Sequence, residues 1–166
     1  ELDLEVVAMD TNHHKDGFSE ELPEAHSLGL VDCKQTGCED KCLRNTETRS
    51  RESFDLFFNR TRASTAKNML VFSHYPTDYF PRFGKFIEAL KDNSRRSIFY
   101  FGGHRHNVDQ TSTVSTAPNV NWVVGGGGGW GCDGDQQGFV VGEIGAEGAI
   151  STRAVLVDPE MCCGEQ

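Results

Sequence analysis

Apolar positions along the chain fall into short blocks separated by polar stretches, and their spacing changes along its length. Leu4–Met9 is a compact apolar run that predicts a buried strand ending at Asp10-Thr11-Asn12. Residues 12–50 are polar and read as a long excursion that carries Cys33, Cys38 and Cys42. A segment of that length without an apolar pattern is usually functional or cross-linked. Over Ser50–Lys67, Phe54, Phe57, Phe58 and, more weakly, Ala63 recur near the helical period, which predicts an amphipathic helix. Asn68–Phe72 is a second strand-like run, Pro81–Asp92 places Phe83, Phe86, Ile87 and Leu90 at helical spacing, and Ile98–Phe101 is a third run. Strand, loop, helix, strand, loop is a βαβ unit with parallel strands. After it, Val114, Trp122–Val124, Phe139–Ile144 and Ile150–Val157 read as strands between Gly-rich turns, the last two paired antiparallel across Gly145–Gly148.

This order predicts an α/β fold in which Leu4–Met9, Asn68–Phe72 and Ile98–Phe101 share one sheet and the C-terminal strands extend it or pack on it. The 166 residues suit one domain, taken as 1–166 with the Cys-containing insertion at 12–50. No run approaches the ~20 apolar residues that span a bilayer, so no membrane span is expected. Acidic residues outnumber basic ones by 25 to 16, a net charge of −9, which argues against a nucleic-acid partner because phosphate backbones attract basic surfaces. An anionic substrate remains compatible if bound cations reverse the local field. Six cysteines (Cys33, Cys38, Cys42, Cys132, Cys162, Cys163) and the sequon Asn59-Arg60-Thr61 point to disulfides and a secreted or other extracytoplasmic location. At least one of Cys33, Cys38 and Cys42 is expected in a disulfide. A zinc site on those three is the alternative, but no second cysteine pair stands at a familiar spacing. The chain opens on a strand-like segment without an initiator Met, which leads us to expect a processed or truncated chain.

The chemistry concentrates at two strand ends. Ser73-His74-Tyr75-Pro76 follows one strand of the βαβ unit and Gly102-Gly103-His104-Arg105-His106 follows the other. Ligand sites of open α/β sheets collect at the C-terminal ends of parallel strands. Glycines let the backbone turn sharply there, and alternation lets a His-x-His pair aim two imidazoles at one centre or at neighbouring ones. Neutral imidazole suits Zn, Fe, Mn or Ni. Arg105 lies between two candidate ligands and is a candidate phosphate contact, set against a side chain turned away from the metals. Asp78 is a candidate substrate contact, set against an ordinary loop role. No catalytic residue other than the metal ligands is named.

Ser73-His74-Tyr75-Pro76 and Gly103-His104-Arg105-His106 resemble the two C-terminal signatures of the calcineurin-like binuclear metallophosphoesterases, in that order and at a fitting spacing. Val123–Gly129 resembles the Gly-rich strand end that follows the Gly-His-x-His motif. Gln137-Gly138-Phe139 through Val157 resembles the closing hairpin, and Val7-Ala8-Met9-Asp10-Thr11 resembles the strand ending in Leu-Asp-Thr. Within the superfamily the likeness is to small purple (tartrate-resistant type) acid phosphatases, and it covers Leu4–Asp158, with little from residues 12–50.

The resemblance implies the C-terminal half of a layered α/β/β/α sandwich and hydrolysis of phosphate monoesters by a metal-bound hydroxide. It implies two divalent or mixed-valence ions (Fe, Zn or Mn) roughly 3.5–4 Å apart. His74 and His104 would bind one ion and His106 the other. It also implies a proton donor for the leaving group, a role for Asp78 or Tyr79, set against an ordinary loop role. The family's Asp-x-His, Gly-Asp-x-x-Asp/Tyr and Gly-Asn-His motifs are missing from this sequence, so the carboxylate, Asn and remaining His ligands would have to come from an N-terminal half or a partner chain. The competing expectation is a non-enzymatic, secreted, disulfide-bonded module, or an inactive remnant of a phosphatase.

Overall fold

The computed structural model describes residues 3–12, 39–80, 83–110, 116–125 and 136–157. Its elements are β1 (Leu4–Met9), α1 (Glu39–Ala63), β2 (Asn68–Ser73), a 3-10 turn at Thr77–Tyr79, α2 (Gly84–Lys91), β3 (Ser97–Gly102), β4 (Val108–Gln110), β5 (Val120–Val124), β6 (Gln137–Ile144) and β7 (Ile150–Val157). The first five strands form one sheet in the order β1-β2-β3-β5-β4, while β6 and β7 form a separate two-stranded sheet. β1, β2, β3 and β5 run parallel and the short β4 pairs antiparallel with β5. The result is a mixed α/β architecture with β2, α2 and β3 as its parallel βαβ unit.

Alternation along the strands decides which side chains meet the helices. Val7, Val71 and Tyr100 lie in register across β1, β2 and β3. With Met9, Met69 and Ile98 they join one buried core that also takes Phe54 and Phe57 from α1 and Phe86 and Leu90 from α2. Phe86 is its hub: its ring centroid lies 5.1 Å from Phe54, 5.0 Å from Phe57 and 5.5 Å from Phe80, all edge-on. Edge-to-face contact sets the positive rim of one ring against the negative face of the next, which favours this geometry over stacking. The alternate residues face the other way. Phe72 stacks on Phe101 of the neighbouring strand at 5.1 Å. Between this face and the β6–β7 hairpin lies a cavity of about 450 Å³ lined by Leu70, Phe72, Phe101, Phe139, Ile144 and Ile150 among others.

The hairpin is joined to the main sheet through polar contacts. Trp122 Nε1–H donates to Thr152 Oγ1 at 2.9 Å, and Asn68 Nδ2–H donates to the Gly148 carbonyl at 2.7 Å. Gly148 takes φ +80 in the β6–β7 turn, a backbone conformation that glycine adopts without a Cβ penalty. Buried Asn119 ties three elements together. Its amide donates to the Leu90 carbonyl and its side-chain oxygen accepts from the Ile98 amide, both at 2.8 Å.

The three strands expected in one sheet are there, and the expected pairing of the last two strands is there as well. Boundaries differ in places. α1 was expected over Ser50–Lys67 but spans Glu39–Ala63, so the last part of the 12–50 excursion is helical. Its first turns carry Glu, Lys, Leu and Arg and no Gly or Pro, which favours helix. They lack an apolar stripe, so periodicity could not reveal them. The helix stops near Ser64, whose hydroxyl accepts the Ala66 amide at 3.1 Å; such local side-chain bonds compete with helical ones. Arg60 and Arg62 in the last turn oppose the negative end of the helix dipole. The sequon Asn59-Arg60-Thr61 lies inside this helix.

α2 begins three positions later than Pro81, because Phe83 at its N-cap has non-helical backbone, φ −91 and ψ 67. β4 was not anticipated: of its three residues only Val108 is buried, too little for a pattern. Val114, Cys33, Cys38, Cys132, Cys162, Cys163, Trp130 and most of the glycine run Gly125–Gly129 lie outside the described residues, and so does the side chain of Cys42. Among the described residues, no helix is long and apolar enough to cross a membrane.

Candidate metal centre

β2 and β3 are neighbours, and their last residues, Ser73 and Gly102, pair directly. The histidine-bearing loops therefore leave the sheet side by side. They touch along the backbone: the Gly103 amide donates to the carbonyls of His74 at 2.8 Å and Ser73 at 3.3 Å. Gly102 makes the approach possible, since a Cβ there would stand 2.4 Å from Pro76 Cα and 2.9 Å from the Tyr75 carbonyl oxygen. β5 closes in from the opposite side. A Cβ on Gly125 would stand 1.8 Å from the Arg105 carbonyl oxygen.

His104 sits at φ +65, the only non-glycine residue with positive φ among those described. For an L-residue this conformation costs roughly 1–2 kcal/mol, because Cβ crowds the following carbonyl. Surrounding structure has to hold such a residue in place, and outliers of this kind gather at functional sites. The tight bend is closed by the Arg105 amide donating to the Gly103 carbonyl at 2.8 Å.

The bend turns the His104 imidazole toward His74, and His74 Nε2 lies 3.1 Å from His104 Nδ1. Two ligands of one cation, each about 2.0–2.1 Å from it and about 90–110° apart, have nitrogens roughly 2.8–3.4 Å from each other. The separation therefore fits a shared ion. It fits a hydrogen bond between two neutral imidazoles equally well. Both rings rest on aromatic neighbours: His104 is 4.5 Å from Tyr75 and 5.1 Å from Tyr79, and His74 is 4.7 Å from Tyr75, centroid to centroid.

His106 stands outside this contact pair but close by, since its charge helps depress the protonation of His104. The Gln137 side-chain amide holds its carbonyl at 2.6 Å. The two polar residues singled out as substrate contacts meet each other: Arg105 Nη1 lies 3.0 Å from Asp78 Oδ2, each side chain about a third exposed (35% and 33%). This ion pair links the histidine loop to the Thr77–Tyr79 turn.

Hydroxyl groups beneath the loops escaped the sequence reading. Thr11, fully buried, shares a 2.6 Å hydrogen bond with Ser73, and Tyr100 donates its OH to the Tyr75 carbonyl at 2.6 Å. The available signal was weak: a threonine just past a strand end, and a tyrosine in an otherwise apolar strand. Asp10, at the end of β1, accepts hydrogen bonds from the Asn12 amide and side chain and lies 3.6 Å from Arg49. Among the described residues, no group of three or more His, Cys, Asp or Glu side chains is placed to hold one ion. The histidine pair is thus a two-nitrogen donor set, and it fits a transition-metal ion only with ligands from elsewhere.

Burial favours the neutral form of both histidines. Desolvation lowers the His74 pKa, and for His104 desolvation acts together with the neighbouring charges of His74 and then His106. Burial raises the phenol pKa of Tyr75 and Tyr79. The unfolded chain therefore binds more protons on these histidines than the folded one, between the depressed native values and the ordinary value of about 6.5. Stability rises with pH across that window and falls as acid protonates the folded pair. Urea unfolding between pH 8 and pH 5 should show this decline, and the double substitution His74→Gln, His104→Gln should flatten it. An unchanged slope in the double variant would assign the decline to other groups.

Comparison with known proteins finds no family model, no curated protein and no solved structure that matches the chain.

Proposed function

We propose that this chain contributes the histidine half of a binuclear metallophosphoesterase centre of the calcineurin-like type, similar to small purple acid phosphatases, acting on phosphate monoesters. The observation that carries the proposal is the meeting of His74 Nε2 and His104 Nδ1 at 3.1 Å from the ends of two parallel strands, 30 positions apart in the chain. A site built merely from neighbours in sequence would bring together His104 and His106. The crossover through α2 is what delivers His74.

In this reading His74 and His104 hold one ion (Fe, Zn or Mn) and His106 a second, while an N-terminal half or a partner chain brings the Asp and Asn ligands. Bound cations supply activation of water and neutralisation of charge on the phosphoryl oxygens. The chain's own residues orient that chemistry. Tyr75 and Tyr79 pack against the imidazoles, and burial raises their phenol pKa values further above the physiological range. Arg105, turned by Asp78, presents a cation at the rim within reach of an anionic ester. The cysteine content and the sequon support an extracytoplasmic setting for such an enzyme.

A second reading has a specific observation behind it. With 3.1 Å between the nitrogens and no third ligand in reach among the described residues, the pair also works as a neutral hydrogen-bonded latch in a non-enzymatic module or an inactive remnant. Metal analysis separates the two. The purified chain is exposed to Zn²⁺ or Mn²⁺, dialysed and analysed for metal, and turnover of an aryl phosphate is followed with and without chelator. Bound metal, lost in His74→Ala, together with chelator-sensitive hydrolysis in the presence of the complementing ligands, supports the phosphatase. A chain that retains no metal and shows no hydrolysis even in the presence of the complementing ligands, and folds identically without metal, leaves only the latch.

A further inference from the structure

The histidine loop is gripped from the second sheet, by a residue at the start of the hairpin. Gln137 opens β6 and is only 3% exposed. Its side-chain amide crosses to the main sheet and donates to the His106 carbonyl at 2.6 Å, 31 positions away. Beside it, the Val108 amide donates to the Gln136 carbonyl at 2.7 Å. The two bonds flank Asn107 and fix the exit of the loop. Its entry is fixed by the Gly103 amide on the His74 carbonyl, and its middle by Asp78 on Arg105 and by the close passage of Gly125.

We propose that Gln137 is a positioning residue for the metal centre. By holding the His106 carbonyl it sets the direction in which His104 and His106 present their ring nitrogens, so that the seating of the β6–β7 hairpin controls ligand geometry at the strand ends. Three observations support this. His104 stands at φ +65, a conformation that relaxes unless both flanks of the loop are held. A buried amide is costly unless bonded, and Gln137 is directed at a loop carbonyl although strand carbonyls lie nearer in sequence. Finally, the Thr152–Trp122 and Gly148–Asn68 bonds join the hairpin to the sheet at residues other than the histidines, whereas Gln137 links hairpin and histidine loop through its side chain. A purely structural amide would stabilise the fold and leave the imidazoles unaffected.

The inference rests on the metal-centre reading, and its test is chosen to be separable from it. Gln137→Met keeps the length and removes the donor; Gln137→Glu keeps length and polarity and also removes the donor, and serves if the first variant fails to fold. Asp109→Asn, on exposed β4, is the control. In the metal-free chain, long-range ¹H–¹⁵N spectra of the imidazoles report the tautomer and environment of each ring. In parallel, the affinity for Co²⁺ is read from its visible absorption. The expected result is altered His104 and His106 ring signals in a folded variant, with Co²⁺ affinity lowered by about 10-fold or more, as for residues that orient metal ligands through another group. Unchanged ring signals with only a lower melting temperature would overturn the proposal. If the ring signals move while the native chain binds no Co²⁺ even with the complementing ligands supplied, the positioning role stands and the metal reading fails.

Discussion

On the proposed phosphatase reading, replacing His104 with Ala is expected to abolish metal-dependent phosphate ester hydrolysis in the full-length enzyme, with the missing ligands present, while folding survives. His104 supplies one nitrogen of the contact pair, 3.1 Å from His74. Losing it leaves His74 alone at that position, and one imidazole with no carboxylate in reach holds a transition metal weakly. Losses from groups that only orient ligands already reach about 10-fold to 100-fold, so removal of a ligand should cost at least that much in activity and metal affinity. Folding should survive because the ring is half-buried at a loop and contributes no residue to the apolar core. The positive φ adds a control. His104→Gly also removes the ligand but occupies φ +65 without Cβ strain, so it should fold at least as well as the alanine variant. Circular dichroism, metal analysis and turnover of an aryl phosphate check the set. Full activity in either variant would remove His104 from the site.

Gly102→Ala is expected to damage both the fold and the approach of the two histidine loops. The new Cβ would lie 2.4 Å from Pro76 Cα, 2.7 Å from Pro76 N and 2.9 Å from the Tyr75 carbonyl oxygen. All three are backbone atoms, so no side chain can swing aside. Either β2 and β3 spread at their ends or the His74 loop lifts. Overpacking in tight structure usually costs about 1–3 kcal/mol and occasionally more, and the backbone identity of the obstacles places this case at or above the upper end. Denaturant unfolding measures that loss. The site should suffer beyond it, since the same shift parts His74 from His104. Gly84→Ala is the matched control: nothing lies within 4 Å of its Cβ position and it begins a helix, where Ala is favoured. Equal stability of the two variants would show that the loops do not approach each other as described.

Local pattern carried much of the architecture. β1, β2, β3 and the β6–β7 pair were legible because strand periodicity and flanking turn residues are written in adjacent positions, and the two histidine motifs were legible because they follow such strands. Phe54 and Phe57 announced the buried face of α1 for the same reason. The first part of that helix stayed hidden, since an exposed helical stretch needs no apolar stripe and propensity alone is a weak signal. β4 stayed hidden because three residues carry no period.

Only tertiary structure decided the rest of the site. The approach of His74 to His104 depends on β2 and β3 being neighbours in register, on the absent side chain of Gly102, and on a left-handed residue at His104. Arg105 and Asp78 were both named as substrate contacts, but that they pair at 3.0 Å across 27 positions is a property of the folded loops. The hold of Gln137 on the His106 carbonyl joins the hairpin to the histidine loop, and although Gln137 opens a segment singled out in the sequence, its partner 31 positions away was not legible there. These contacts join residues whose separation along the chain says nothing about their separation in space. Residue identity and local spacing therefore determined which groups could ligate or turn, while packing of the strands determined which of them meet.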